Sequence, residues 1–394
     1  MEATGDTIGG IADRELDLLA CAIAQSPAMD CARPARTGGI DWARFEALVD
    51  RHRVGALALA GAARIGMPAD VAARLAGEEE RNASNYLRSI ALLRKLSDHF
   101  ARAGIEWVLL KGIAVAEAAY ERPALREMID IDLMVDAVRI EEAEGIILEK
   151  GFTRIHPRFA LDDAKRANFA KLHSAYSYFR RADGAQLDLH WRTSQNPYFV
   201  PQIDAHWREW SGTTVVSGFP TLRPDVHLAY VLAHGAKHGW VRLKWLADVE
   251  RMVAMLDDAG VALLTATLRE HGLETVAGSA FALCHTLFRS RLPEALADLT
   301  SSARAAQLHD HALELIAADL PMGGAGIGKP GYLWRRMRHS LGLVRRRGYR
   351  RRALLLEVVR SHDLEHVPLP KGWIVPMAII SPVLAVGRAI SGKQ

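Results

Sequence analysis

Three aspartates in this chain have neighbours and spacing that suit them to hold a cation. Asp130 and Asp132 flank Ile131 in IDIDLMV, and Asp188 lies between Leu187 and Leu189 in QLDLHW. Alternation along an extended strand puts Asp130 and Asp132 on one face while Ile131 and Leu133 point to the other. Two carboxylates about 5 Å apart repel by roughly 3 kcal/mol at an effective dielectric near 20, so a mostly apolar strand carrying both calls for a compensating cation. Magnesium, with oxygen ligands, fits that need, and Asp188 as a third carboxylate makes a two-ion centre for phosphoryl-type transfer plausible. The plainer alternative stays open: Asp130 capping a turn, Asp132 paired with Arg126 or Arg139, and Asp188 paired with Arg192.

Other polar residues fall where they could serve such a centre. Lys111-Gly112 follows the apolar run EWVLL, where glycine permits a tight turn and a close backbone approach to an anion. Arg126, four residues before Asp130, could contact a triphosphate or neutralise the acids. In HLAYVLAHGAKHGWVRLKWLADVERM, His234, His238 and Arg242 recur at helical spacing, with Lys237, Lys244 and Asp248 adding polar groups. His234 and His238 read as site-lining or as ordinary structural histidines; a zinc pair is disfavoured because HGAKH lacks the glutamate of HExxH. His362 and His366 repeat the spacing in a charged segment read as surface. Trp107, Trp191, Trp240 and Trp245 read as core or rim.

The elements that must hold these residues follow from periodicity. Residues 11–102 read as helical, with Asp41 before Trp42 as a helix start. After Gly104, short strand-like runs appear at 106–110, 131–135, 176–180, 186–190 and 213–217. Helices are expected at 113–120 and 138–150, and Asp183-Gly184 supplies a hairpin turn between the third and fourth strands. Helical spacing returns at Pro224 and continues to about His366, with a glycine-rich linker at 323–331. The expected class is α+β: a small mixed sheet at 105–220 flanked by helical regions at 1–104 and 221–394. The tail at 373–386 is apolar but interrupted by Pro376 and Pro382, which suggests docking on the body over contact with a membrane surface.

At 394 residues and 49% apolar, the chain can bury a large core. Its three cysteines, Cys21, Cys31 and Cys284, form neither a disulfide framework nor a thiolate cluster, and with no secretory start or spanning run they lead us to expect a cytoplasmic protein. The net charge of +4 is uneven: nine arginines and no acid lie in the strip bounded by Arg335 and Arg352, leaving the remainder net acidic. Nucleic acid or anionic membrane is a conceivable partner for that strip, though a solvated helix face is the commoner role.

The ordered set LLKGIAVAEAAY, LREMIDIDLMV and LDLHW resembles the DNA polymerase beta-like nucleotidyltransferase superfamily, in particular its uncharacterised bacterial nucleotidyltransferase family, over roughly residues 45–255. The resemblance implies a glycine turn that holds a nucleoside triphosphate at Lys111 and Gly112, metal-binding acids at Asp130 and Asp132, and a third acid at Asp188. It also places His234 and His238, on the helix after the sheet, near the nucleotide or its acceptor; from their own positions, Arg126 and Asp248 are expected as further nucleotide contacts. Transfer of a nucleoside monophosphate to a small-molecule or peptide acceptor, supported by two magnesium ions, is the implied reaction. Two departures stand out: Ile113 follows the glycine where the superfamily commonly has serine or glycine, and Ile129 adds bulk before the first acid. The first removes a hydroxyl from the phosphate grip, so a catalytically silent nucleotide- or partner-binding module is the alternative.

Overall fold

The computed structural model describes residues 13–25, 39–214, 216–317 and 330–391. Most of the expected glycine-rich linker, Cys31 and Gly38 lie outside them.

The amino-terminal helices are α1 (Arg14–Ile23), α2 (Trp42–His52), α3 (Gly55–Ala60), α4 (Ala62–Ile65) and α5 (Ala69–Arg102). Asp41 caps α2 as expected, its carboxylate accepting from the amides of Ala43 and Arg44 at 3.0 and 3.1 Å. The 34 residues of α5 reach about 50 Å, long enough to join two cores. Leu75 belongs to one; Leu92, Leu93, Leu96 and Phe100 belong to the other.

Between the helical regions lies a mixed sheet of β1 (Trp107–Leu109), β2 (Asp130–Val135), β3 (Thr153–His156), β4 (Ala175–Arg180), β5 (Ala185–His190), β6 (Ser211–Thr213) and β7 (Pro220–Leu222) in the order β3-β4-β5-β2-β1-β7-β6. Helices α6 (Ile113–Ala119), α7 (Ile140–Glu149), α8 (Asp163–Leu172) and α9 (Pro201–His206) connect its strands. The protein is α+β. Ile131, Leu133, Val135, Leu187 and Leu189 fill the core shared with α5 and α7, whereas Val108, Leu110 and Met134 face the other core. Gly184, at φ +73°, closes the β4–β5 hairpin.

One expected strand moves. Residues 213–217 were expected extended, but strand pairing ends at Thr213 and resumes at Pro220. The cause is Glu117: its Oε2 accepts the amides of Val216 and Ser217 at 3.1 and 2.9 Å and the Ser217 hydroxyl at 3.1 Å, folding that segment into a turn.

The carboxy-terminal helices are α10 (Pro224–Lys237), α11 (Leu243–Ala254), α12 (Asp258–Glu270), α13 (Glu274–Phe288), α14 (Glu294–Ala297), α15 (Ala303–Ala317), α16 (Pro330–Gly342), α17 (Tyr349–Val358) and α18 (Met377–Ser391). Helices α10 to α17 pack with α1–α3 in the first core, against the sheet face carrying Val108 and Met134. Pro376 precedes α18 but Pro382 lies within it. Ile374 and Met377 tuck into the second core, so the tail is docked along one side. No helix among the described residues is long and apolar enough to cross a membrane.

Candidate metal centre

Strands β2 and β5 run parallel, and their register sets Asp132 directly beside Asp188, Met134 beside His190, and Asp130 beside Gln186. Ligand atoms of Asp132, Asp188 and His190 lie within 4.8 Å of one another, a set of three that could hold a metal ion. Asp130 falls outside that set; it is half-buried on the same strand face, two residues away.

Asp132 is almost completely buried, at 1% exposure. Its Oδ1 accepts from the Lys111 ammonium and lies 3.1 Å from His190 Nε2, while its Oδ2 is buried with no hydrogen-bond partner among the described residues. The other imidazole nitrogen, Nδ1, lies 3.3 Å from the Arg192 carbonyl. Both ring nitrogens therefore face acceptors, and a neutral imidazole can donate to just one. A second ring proton would let both nitrogens donate, and a metal bound at the carboxylate would engage Oδ2.

The charges are arranged unequally. Burial works against ionising Asp132, but Lys111 and His190 outweigh it and hold its pKa well below the usual carboxylate range. Burial and the neighbouring Asp132 charge push Asp188 up. Burial likewise opposes the charge on Lys111, yet Asp132, Asp130, Tyr230 and Asp188 raise its pKa above the ordinary lysine value. One carboxylate firmly ionised beside one that holds its proton more tightly is a common arrangement where two acids share a cation or divide acid and base roles.

The turn entering α6 depends on Gly112, whose φ of +62° and ψ of −110° suit glycine alone; a Cβ there would have ordinary clearance, 3.5 Å from the Asp130 carbonyl. Arg126 and Asp248 brace it from behind. Arg126 Nε and Nη2 each donate to Asp248 at 2.8 Å, Nη1 approaches the Gly112 carbonyl at 3.4 Å, and the Tyr120 hydroxyl donates to Asp248 at 2.7 Å. These side chains are committed to one another and buried, away from Asp132. Ile113 also turns inward, at 2% exposure in the second core.

Helix α10 faces the acids from the other side. His227 ties it to the sheet, Nε2 lying 3.0 Å from the Leu110 carbonyl. Tyr230, His234 and Lys237 follow along the helix; the Tyr230 hydroxyl and His234 Nδ1 are buried without hydrogen-bond partners among the described residues. The His234 and His238 rings lie 4.8 Å apart, and His238 stacks on Trp245 at 5.2 Å. Burial and the nearby Lys111 lower Lys237 to about 8, and burial with surrounding cations drives His234 well below the ordinary imidazole value, while His238 is exposed.

Arg242 does not continue this face as helical spacing had suggested. The helix stops at Lys237, because Gly239 and Trp240 adopt φ of +63° and +54°, and Arg242 begins the next helix, with its guanidinium 5.8 Å from the Trp245 ring centroid. Gly235 permits the reversal: a Cβ there would meet the Trp240 ring at 2.1 Å. Lys244, also buried, donates to the Glu127 carbonyl at 3.1 Å. The four tryptophans expected in the core or rim are all buried.

Residues 38–289, more than half of the chain, match a family described as uncharacterised nucleotidyltransferase. The chain belongs to this family. No curated protein matches it.

Membership in this nucleotidyltransferase family fits an acid cluster able to take a metal, and it covers every residue of the centre just described. Two of those residues, His190 and Tyr230, escaped the reading of the sequence. The first had a usable signal: the alternation that pairs Asp130 with Asp132 also pairs Asp188 with His190 in LDLH. Tyr230 lies four residues before His234, on the same helical face.

Proposed function

We propose that this chain transfers a nucleoside monophosphate from a nucleoside triphosphate to a small-molecule or peptide acceptor, breaking the α–β phosphoanhydride bond and releasing pyrophosphate, with Asp132 and Asp188 as the principal metal ligands and magnesium as the ion. The observation that carries the reading is the buried, unpartnered Oδ2 of Asp132 beside Asp188 and His190, within a chain of a nucleotidyltransferase family. Asp130, on the same strand face, is the further carboxylate for a second ion. When bound, such ions supply charge stabilisation at the transferred phosphoryl group and lower the pKa of the acceptor hydroxyl.

The chain's own residues take the remaining roles. Lys111 neutralises Asp132 and reaches toward phosphate, Gly112 shapes the turn beneath it, and Arg126 with Asp248 hold that turn in place. His234, Lys237 and His238 present donors to the nucleotide from α10. Asp188, whose proton affinity is raised, is the group placed to receive the acceptor's proton. His190, hydrogen-bonded to Asp132, leaves an all-oxygen set that suits magnesium; as a direct ligand it would shift preference toward manganese.

The test pairs triphosphates labelled at the α or the γ position with a cell extract, with magnesium or manganese. Label moving to an acceptor from the α but not the γ position, and lost in Asp188→Asn, is expected. Transfer of the γ label instead would overturn the reading. A second reading, a nucleotide-binding module without turnover, is favoured by the Lys111 ion pair on Asp132 and by the inward Ile113, which leaves the turn without a hydroxyl. Binding with no transfer of either label would select it.

A further inference from the structure

The outward surface of the last three helices does not look like one built to face water alone. On α16, Trp334 is 59% exposed, with Arg335 and Arg338 exposed on the same face. On α17, exposed Arg350, Arg351, Leu354 and Val358 fall within about 100° of one another at 3.6 residues per turn. On α18, the side opposite the docked Met377 and Ser381 exposes Ile379, Val383 and Val386 at 75%, 66% and 60%. A solvated helix would carry polar residues there. Helix α17 packs against both α16 and α18, so the three form one continuous unit, and it lies beyond the family-matched residues.

We infer that this carboxy-terminal surface docks on an anionic lipid bilayer. Charge complementarity selects the occupant. Of the acids in residues 330–391, Glu357 is paired with Arg336 and Asp363 is buried, leaving Glu365 exposed against a surface rich in arginine. Arginines interleaved with tryptophan and aliphatic residues suit anionic headgroups above an apolar boundary. A second copy of this surface would oppose arginine to arginine. Nucleic acid would satisfy the arginines but offer nothing to the aliphatic face of α18. At 15 residues, about 22 Å long, α18 can lie in the interface but not span a hydrocarbon core of about 30 Å.

The test floats the full chain with vesicles of phosphatidylcholine alone or mixed with phosphatidylglycerol. Flotation with the mixed vesicles only is expected, weakened at least tenfold by I379E/V383E/V386E and comparably by R350E/R351E, with melting temperatures unchanged because these side chains are exposed. Should the triple variant unfold, quenching by brominated lipid of Trp373, 61% exposed just before α18, reduced in Trp373→Phe, reads insertion independently. Failure of the wild-type chain to float, or equal flotation with both vesicles, would overturn the inference. So would RNA binding lost in R350E/R351E alongside flotation that ignores the apolar substitutions, which would make the strip a nucleic-acid site. A dimer dissolved by the triple variant, without flotation, would make it a self-association surface.

Discussion

Two buried ion pairs lie on either side of the Lys111-Gly112 turn, and they are built differently. Arg126–Asp248 is closed: both carboxylate oxygens are used, Tyr120 adds a third donor, and the guanidinium's remaining arm approaches the Gly112 carbonyl. Lys111–Asp132 is open: one carboxylate oxygen takes the ammonium and faces His190, while the other is buried and takes nothing among the described residues. Burying charge is costly, and a scaffold offsets that cost by satisfying every lone pair. An oxygen left unsatisfied beside a second carboxylate is what a cation-binding centre requires. The contrast separates a pair that closes on itself and holds the turn from a pair left open to a cation, although both join a basic residue to an aspartate near the same glycine.

Substitution should break that contrast unequally. Asp132→Asn keeps shape and removes the charge that a metal needs, so transfer should fall by at least about 10^3-fold and manganese binding, followed by its paramagnetic resonance, should disappear. The melting temperature should move little, because Asp188 and Asp130 remain near Lys111. Asp248→Asn should do the reverse. It leaves Arg126 buried without its counter-charge, and about 3 kcal/mol of stability should be lost in denaturant unfolding. Activity at a temperature where the variant is folded should fall much less than in Asp132→Asn. An Asp248→Asn protein of unchanged stability but no activity would show that the closed pair belongs to the chemistry after all.

The legibility of these two pairs in the sequence differed for a physical reason. Asp132 and Asp188 were readable because alternation on a strand is local, and so was the Asp41 cap, which needs only the next three residues. What pairs Asp132 with Asp188 is the register between β2 and β5, a long-range choice that no local pattern declares. Arg126 and Asp248 are 122 residues apart, so no local pattern could show that they pair with each other. The helical spacing of His234, His238 and Arg242 was real as a pattern but was overridden by the Gly235–Trp240 contact, which turns the chain after Lys237. The turn at Val216 and Ser217 was hidden in the same way, because Glu117 that folds it lies about a hundred residues earlier.

The smallest expected effect sharpens the comparison through pH. Burial lowers His227 and His339 from 6.5 to about 4 each, and both brace α10: His227 against the Leu110 carbonyl, His339 against that of Ala236 at 2.7 Å. The unfolded chain binds these protons near pH 6.5 while the folded chain resists them until about pH 4, so stability falls as pH drops through that window and is fully present above it. The upper bound is roughly 3 kcal/mol per histidine, and relaxation of the site would reduce it. His339→Gln, which retains a donor for Ala236 but cannot titrate, should flatten the dependence of melting temperature on pH between 4.5 and 7 relative to the unaltered chain. Identical slopes would sink the assignment. Because α10 carries Tyr230, His234 and Lys237 toward the acids, acid conditions should loosen the wall proposed to face the nucleotide while Asp132, already ionised far below this range, keeps its charge. Loss of nucleotide affinity before loss of metal affinity as pH falls toward 4.5 is the order expected if the scaffold and the centre are separable in the way the two ion pairs indicate.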